Sequence, residues 1–311
     1  MIIGRRGSEH WRRSGAGEAV TYRKIRLKNK KKKLAIVGLG SLGRVLALAL
    51  HAAGYAITEI VSRDSAKSRR QAAGLALAVG ARPATVQSAQ WDADVIWLCV
   101  PDDAIAITAR ELAANHKNWK NKIVLHSSGA LAAGELAALK RRGAAVGSAH
   151  PMNTFVGNSK PSFAGTPFSV EGDGAAVRMA EQIASHLNAG DVFRVSSKQK
   201  PLYHVVGSFS SPLLISLLSA AETVAKKAGV RRPQALTRRI LQQTIENYLH
   251  KGADAAFSGP IRRGDIATIK KHLLALKKVP GVREIYVALA KNAVQSLPVK
   301  RGKEIKEILN L

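Results

Sequence analysis

The sequence predicts an α/β chain in which an N-terminal doubly wound parallel sheet is followed by a smaller all-helical domain. Three observations carry that expectation. From Lys33 onward, short apolar runs alternate with Ala/Leu-rich stretches of helical length. The first run ends in a glycine-rich turn. After Ser196 the runs stop, while apolar residues keep recurring at i, i+3, i+4. Strands that alternate with helices at this spacing need crossover connections, which implies parallel pairing.

In chain order, LAIVGLG (34–40) reads as a strand, 41–53 as a helix, AITEIVSR (56–63) and ADVIWLCVP (93–101) as strands, and 103–115 as a helix. KIVLHSS (122–128) is a strand, 131–141 a helix, and AAVGS (144–148) and PFSVEG (167–172) are strands. A helix over 175–188 and the strand DVFRVS (191–196) complete the sheet region. Stretches 198–229, 233–251, 264–278 and 281–296 carry helical periodicity, broken by GVRRP, SGP and VPG. The expected boundaries are a basic tail over 1–33, a nucleotide-binding domain over 34–195 and a helical substrate and dimerisation domain over 196–311.

Composition narrows the class. With 311 residues, 46% of them hydrophobic, the chain is long enough to bury a sizeable core. Its single cysteine, Cys99, lies in the apolar run VIWLCV, which excludes a disulfide framework, argues against a Cys-based metal site and fits a reducing cytoplasm. No window approaches ~18 uninterrupted apolar residues, so a soluble cytoplasmic protein without a membrane span is expected. The net charge is +28, of which +10 falls in residues 1–33 and +18 in the rest. Such a surplus attracts polyanions in general and selects none. The tail, ending in KNKKKK, reads as a solvated leader or as the product of a start codon placed too early. Only 5% of residues are aromatic and no recognition-helix motif is present, which argues against specific nucleic-acid readout.

The turn LAIVGLGSLG places Gly38, Gly40 and Gly43 between a buried strand and an Ala/Leu-rich helix. In a Rossmann-type dinucleotide site, Gly38 permits the tight turn, Gly40 lets a pyrophosphate approach the backbone, and Gly43 lets helix and strand pack closely. With Leu39 completing the turn, the N–H groups of Ser41 and Leu42 and the positive end of the helix dipole face the phosphates. The second strand ends at Ser62 and Arg63 rather than at an acid, and Lys67, Arg69 and Arg70 follow. Hydroxyl and guanidinium groups suit a 2′-phosphate, so NADP is the expected cofactor. Asp64 falls too late to serve as a ribose acid.

Ligands of open α/β sheets lie outside the carboxyl ends of the strands. That rule sets CVPDDAI, with Val100 and Pro101, and HSSGA, with Ser127 and Ser128, against the nicotinamide half of the cofactor. One of Asp102 and Asp103 is expected to cap the following helix. Ser127 and Ser128 either cap the helix at 131 or donate to cofactor or substrate. His150 follows AAVGS and points to the same rim. Imidazole suits delivery of the proton that hydride transfer to C=O or C=N requires. A purely structural role, hydrogen-bonding the chain as it leaves the sheet, is the competing reading.

IVGLGSLG, VPDDAI, HSSGALAAGELAALKRRGAAVGSAHPMNTF, KPLYH and SGPIRRGDIATIKKHL together resemble the Rossmann-like proteins that carry a C-terminal helical domain of unknown function. These stand in the wider group of pyrroline-5-carboxylate reductase, prephenate dehydrogenase and the β-hydroxyacid dehydrogenases. The resemblance covers about residues 34–296. Likeness to the prephenate dehydrogenases implies catalytic roles for Ser128 and His150, although this chain continues NTF, with Asn153 a candidate substrate contact, where they have a small residue and glycine. Likeness to the β-hydroxyacid dehydrogenases, with their Lys and an Asn one turn later, implies a Lys200/His204 pair on one helical face that supplies the proton and orients the substrate; a solvated Lys200 at the helix start and a packed His204 are the alternative. Likeness to the pyrroline-5-carboxylate reductases implies an anion site near Gly264 and Asp265, with Arg262 or Arg263 as partner; a capped turn at Asp265 is the alternative.

The expected activity is NADP(H)-dependent hydride transfer to or from a carbonyl or imine carbon of a small carboxylate-bearing substrate, in a homodimer. A non-catalytic NADP-binding sensor and a prephenate-type dehydrogenase are the alternatives.

Overall fold

The computed structural model describes residues 31–156 and 162–309. Nearly all of the basic tail, residues 1–30, lies outside the described residues. Its last residues are tied to the domain: Lys31 Nζ donates to the Ala53 carbonyl, and Lys33 pairs with Asp92 at 2.9 Å.

Eight strands form one sheet. They are β1 (Leu34–Val37), β2 (Ile57–Ser62), β3 (Arg82–Thr85), β4 (Val95–Leu98), β5 (Ile123–His126), β6 (Ala145–Pro151), β7 (Phe168–Gly172) and β8 (Val192–Arg194), in the order β3-β2-β1-β4-β5-β6-β7-β8. The central strands are apolar on both faces, as strands covered by helices on both sides must be. In β1, Leu34 and Ile36 face a core with helices α1 (Ser41–Ala52), α2 (Ala66–Val79) and α5 (Gly174–His186), while Ala35 and Val37 face α3 (Asp102–Asn115), a 3-10 turn (Ala133–Leu136) and α4 (Ala137–Lys140). Full burial of a side chain such as Leu46, Leu50 or Leu112 contributes about 1.5–3 kcal/mol.

Three features depart from the sequence expectation, the first being helix α2, which fills a stretch given no element there. The sheet is not wholly parallel, because β7 returns antiparallel to β6, with Ala149 opposite Val170 and His150 opposite Ser169. Between them the described residues hold no crossover helix, and without a crossover the chain can only come back antiparallel. The run RPAT also forms a strand, β3, unrecognised in the sequence because it is short and contains Pro83. It sits at the sheet edge, where a missing N–H is tolerated. Buried Glu59 of β2 pins this edge, accepting from Arg82 and from the backbone N–H groups of Gln90 (2.9 Å) and Trp91 (3.0 Å).

Beyond β8 the chain is helical: α6 (Lys200–Ser210), α7 (Pro212–Lys227), α8 (Pro233–Ala256), α9 (Pro260–Arg263), α10 (Ile266–Leu276), α11 (Val282–Ser296) and α12 (Gly302–Leu309). Ile269, Leu273, Ala290, Ile305 and Leu309 form a small core of their own. In contrast, α7 buries only Ala220 and Ala225, and α8 only Pro233. Residues 200–227 are long and apolar enough to cross a membrane by length and composition, and 6% of the most apolar window is buried. This is more apolar than the run-length reading of the sequence suggested, because small and hydroxyl residues interrupt the runs without lowering the average much. The stretch is not one straight rod, since Ser211 (φ −134°, ψ −85°) separates α6 from α7.

Candidate active site

A groove of about 700 Å³ runs along the carboxyl ends of β1, β2 and β4. Gly38, with φ +103°, makes the turn out of β1, and a side chain there would run into the Cys99 carbonyl at 2.5 Å. A Cβ on Gly43 would sit 2.2 Å from the Gly38 carbonyl oxygen, so only glycine lets α1 approach the strand. Gly40 has nothing within 4 Å of its Cβ direction and faces the groove. Helix α1 has no side-chain cap and no acid in its first turn. The N–H groups of Ser41, Leu42 and Gly43, which open the helix, therefore lack intrahelical partners and present a positive end.

Gly38, Leu39, Gly40, Ser62, Arg63, Val100 and Pro101 all line the groove. Ser62 is buried, and its hydroxyl donates to the Arg63 carbonyl at 3.2 Å. Arg63 is exposed. Asp64 also reaches the groove but is paired with Arg69 at 2.5 Å. The Ser127 oxygen accepts from Trp97 Nε1 at 2.7 Å, which ties it to the sheet, and Ser127 is not among the residues that line the groove.

Beyond Val100 a second constellation gathers around Ser128. A serine hydroxyl has one proton and two lone pairs, and here all three are engaged. Ser128 donates to Asp102 Oδ2 at 2.8 Å and accepts from the N–H groups of Ala130 (3.2 Å) and Leu131 (2.9 Å). Of the two roles expected for this serine, the geometry is that of a turn cap. Asp102 in turn does not cap α3, whose N-cap is Pro101 without a side-chain bond; it joins the β4 and β5 loops instead.

Lys200 lies under this loop. It is fully buried, and its ammonium donates to the Ser128 carbonyl (3.0 Å) and Ser148 Oγ (2.7 Å). Burial lowers its pKa to about 8, against the raising influence of Glu171 and Asp102. The lysine thus holds the Ser128 backbone rather than reaching open space. One turn along α6, His204 packs its ring against His150 (centroids 5.6 Å apart), and both close on Gly129. A Cβ there would lie 2.4 Å from His204 and 2.9 Å from His150 Cε1 and Nε2.

His150 is not the charged acid that its unperturbed pKa suggested. Burial, then the charges of His204 and Lys200, push its pKa down to about 4, so it is neutral at physiological pH. His126 is held at about 4 chiefly by burial, and accepts from Ser128 N at 3.2 Å.

Two residues read as substrate contacts are occupied elsewhere. The Asn153 amide donates to the Ser162 carbonyl (3.1 Å) and Thr166 Oγ1 (3.0 Å), while its oxygen accepts from Thr154 N (2.7 Å). Arg262 donates to the Asp254 and Phe257 carbonyls and so closes the end of α8. A guanidinium spent on the orphan carbonyls of a helix end is not free for an anion. Asp265 caps α10 by accepting from Thr268 N at 3.1 Å. Sequence reading passed over Asp102 as a partner of Ser128, Ser148 as a partner of Lys200, and Gly129. Only Gly129, standing next to two serines on a strand-to-turn boundary, left a signal in the sequence.

Residues 19–151 match the model of a Rossmann-like domain, and residues 166–293 match a domain of unknown function, DUF2520. The chain is therefore a Rossmann-like domain joined to a DUF2520 domain. Comparison with curated protein sequences finds no match. Among solved structures, a Bacteroides fragilis protein described as a candidate NADP oxidoreductase is similar at 22% identity and TM-score 0.70, over 84% of this chain and 97% of that one. A reductive aminase from Aspergillus terreus, in complex with NADPH and ethyl-5-oxohexanoate, is similar at 18% identity and TM-score 0.62, over 90% and 100%. An imine reductase from Myxococcus stipitatus, in complex with NADP+, is similar at 18% identity and TM-score 0.60, over 89% and 99%. At these identities the likeness is one of fold.

Proposed function

We propose that this chain is an NADP(H)-dependent oxidoreductase that transfers a hydride to or from a carbonyl or imine carbon of a small carboxylate-bearing substrate. The observation that carries the reading is that one groove brings together the uncapped, acid-free N-terminus of α1 and the Ser62/Arg63 end of β2. A pyrophosphate fits the first and a 2′-phosphate the second. The fold-level likeness to structures solved with NADPH and NADP+ supports the same cofactor.

When bound, the nicotinamide supplies or accepts the hydride. The chain's own residues do the rest. Gly38, Gly40 and the first N–H groups of α1 hold the phosphates, and Arg63 neutralises the 2′-phosphate. Neutral His150 orients the substrate heteroatom by hydrogen bonding. His204, beside it on Gly129, is left to carry the proton, while Lys200 anchors the loop between them. The basic surface favours a carboxylate-bearing substrate. We further infer that a second copy covers the apolar faces of α7 and α8, since runs of exposed apolar side chains such as Leu213, Ile215, Leu236, Ile240 and Leu249 mark interaction surfaces on soluble proteins.

Titration of the protein with NADPH and with NADH tests the cofactor. NADPH is expected to bind at least ~10-fold more tightly, a gap of ~1.4 kcal/mol, and Arg63→Ala to remove most of that preference while leaving NADH affinity unchanged. Equal affinities, or no binding of either, would overturn the reading.

A further inference from the structure

His150 Nδ1, Ser169 Oγ and Tyr203 Oη are three buried polar side-chain atoms without a hydrogen-bond partner of normal geometry. They lie together. His150 and Ser169 are directly opposite in the antiparallel β6/β7 pair, so their side chains share a face at close range. The Tyr203 ring meets the His150 ring edge-on, with centroids 6.0 Å apart. The Ser169 hydroxyl lies beside the Tyr203 phenol and opposes the rise in its pKa that burial causes. Three orphaned polar groups in one pocket are costly, whereas the same groups linked in a chain are not.

The chain has a preferred direction. If it ran from His150 to Tyr203 to Ser169, the serine proton would end without an acceptor. Running from Ser169 to Tyr203 to His150, every hydroxyl proton is used and only acceptor lone pairs are left over. The opposite edge of the imidazole, Cε1 and Nε2, faces Gly129.

We propose that Tyr203, supported by Ser169, is a positioning residue for His150: its phenol donates to Nδ1 and so confines the single imidazole proton to Nε2, the nitrogen beside Gly129 and His204. This rests on the reading of His150 as a site residue. It also deepens that reading, because a neutral imidazole held in this tautomer offers a substrate oxygen or nitrogen a hydrogen-bond donor and leaves net proton transfer to another group. The groups that face His150 besides Tyr203 and Ser169 are His204 and Lys200, both of which disfavour a second proton on its ring.

Nitrogen-15 NMR of the histidine-labelled full chain without nucleotide tests this, with the His150 signals assigned by their loss in His150→Asn. The wild type is expected to show Nδ1 unprotonated and Nε2 protonated throughout pH 6–8. Tyr203→Phe is expected to lose the pure Nε2–H tautomer, and Ser169→Ala to displace the Nδ1 resonance less, with NADPH affinity unchanged in both. An Nδ1–H tautomer in the wild type, or the wild-type nitrogen shifts retained in a folded Tyr203→Phe, would overturn the proposal. If Tyr203→Phe does not fold, the wild-type tautomer and Ser169→Ala decide. Because the readout needs no nucleotide, a failed NADPH titration bears on the proposed activity and leaves the tautomer result standing on its own.

Discussion

Lys200 permits a quantitative test of how the helical region is anchored. Its ammonium is fully buried, and its pKa falls from 10.5 to about 8, which corresponds to at most about 3 kcal/mol of penalty on the charged form. The folded pKa lies below the unfolded one. Between pH 8 and 10.5, then, the unfolded chain keeps a proton that the folded chain has released, and stability rises with pH across that window. Below pH 8 both states are charged and the full penalty is present; above 10.5 it is gone. From pH 7 to 9.5 the lysine should add about 2 kcal/mol to stability. Other groups titrate over the same range, so the comparison is between the wild type and Lys200→Met, whose side chain fills similar space without a charge. Urea denaturation of both proteins at pH 7 and pH 9.5 gives the double difference. The wild type is expected to gain about 2 kcal/mol more than the variant over this interval. Parallel changes, within about 0.5 kcal/mol, would refute the assignment of a buried, depressed ammonium at this position.

Other consequences follow from the glycine turn and the helical surface. Gly43→Ala forces a Cβ to 2.2 Å from the Gly38 carbonyl oxygen, so it is expected to cost about 1–3 kcal/mol of stability and to weaken NADPH by at least about 10-fold, a loss of ~1.4 kcal/mol. Gly40→Ala meets nothing within 4 Å; thermal denaturation should find it near wild type, while nucleotide titration finds weaker binding. Ile240→Lys with Leu249→Lys replaces two residues of α8 that are 65% and 72% exposed. In a monomer such changes are worth within about 0.5 kcal/mol. Sedimentation should instead show a shift from dimer to monomer, and a wild-type protein that sediments as a monomer would remove the second copy from the reading.

Most of the sheet's strands and helices, its glycine turn and the change to helices after Ser196 were legible in the sequence by themselves, because they rest on local rules; α2 and β3 were not. Apolar runs set the strands, helical spacing sets the helices, and three glycines at fixed intervals answer to a turn, an approach and a contact within about ten residues. The Ser62/Arg63 end of β2 was legible for the same reason. The antiparallel return of β7 was not, since strand direction depends on where the chain travels between Pro151 and Phe168. Nor could spacing say how the polar side chains would pair. Ser128 with Asp102 and Lys200 with Ser148 are contacts between distant segments, and Arg262 meets the end of α8 only because the chain turns back there. The protonation of His150 was equally out of reach. A histidine's residue type sets its pKa in water, and its surroundings in the folded chain move it. Here burial beside His204 and Lys200 turned the expected acid into a neutral imidazole.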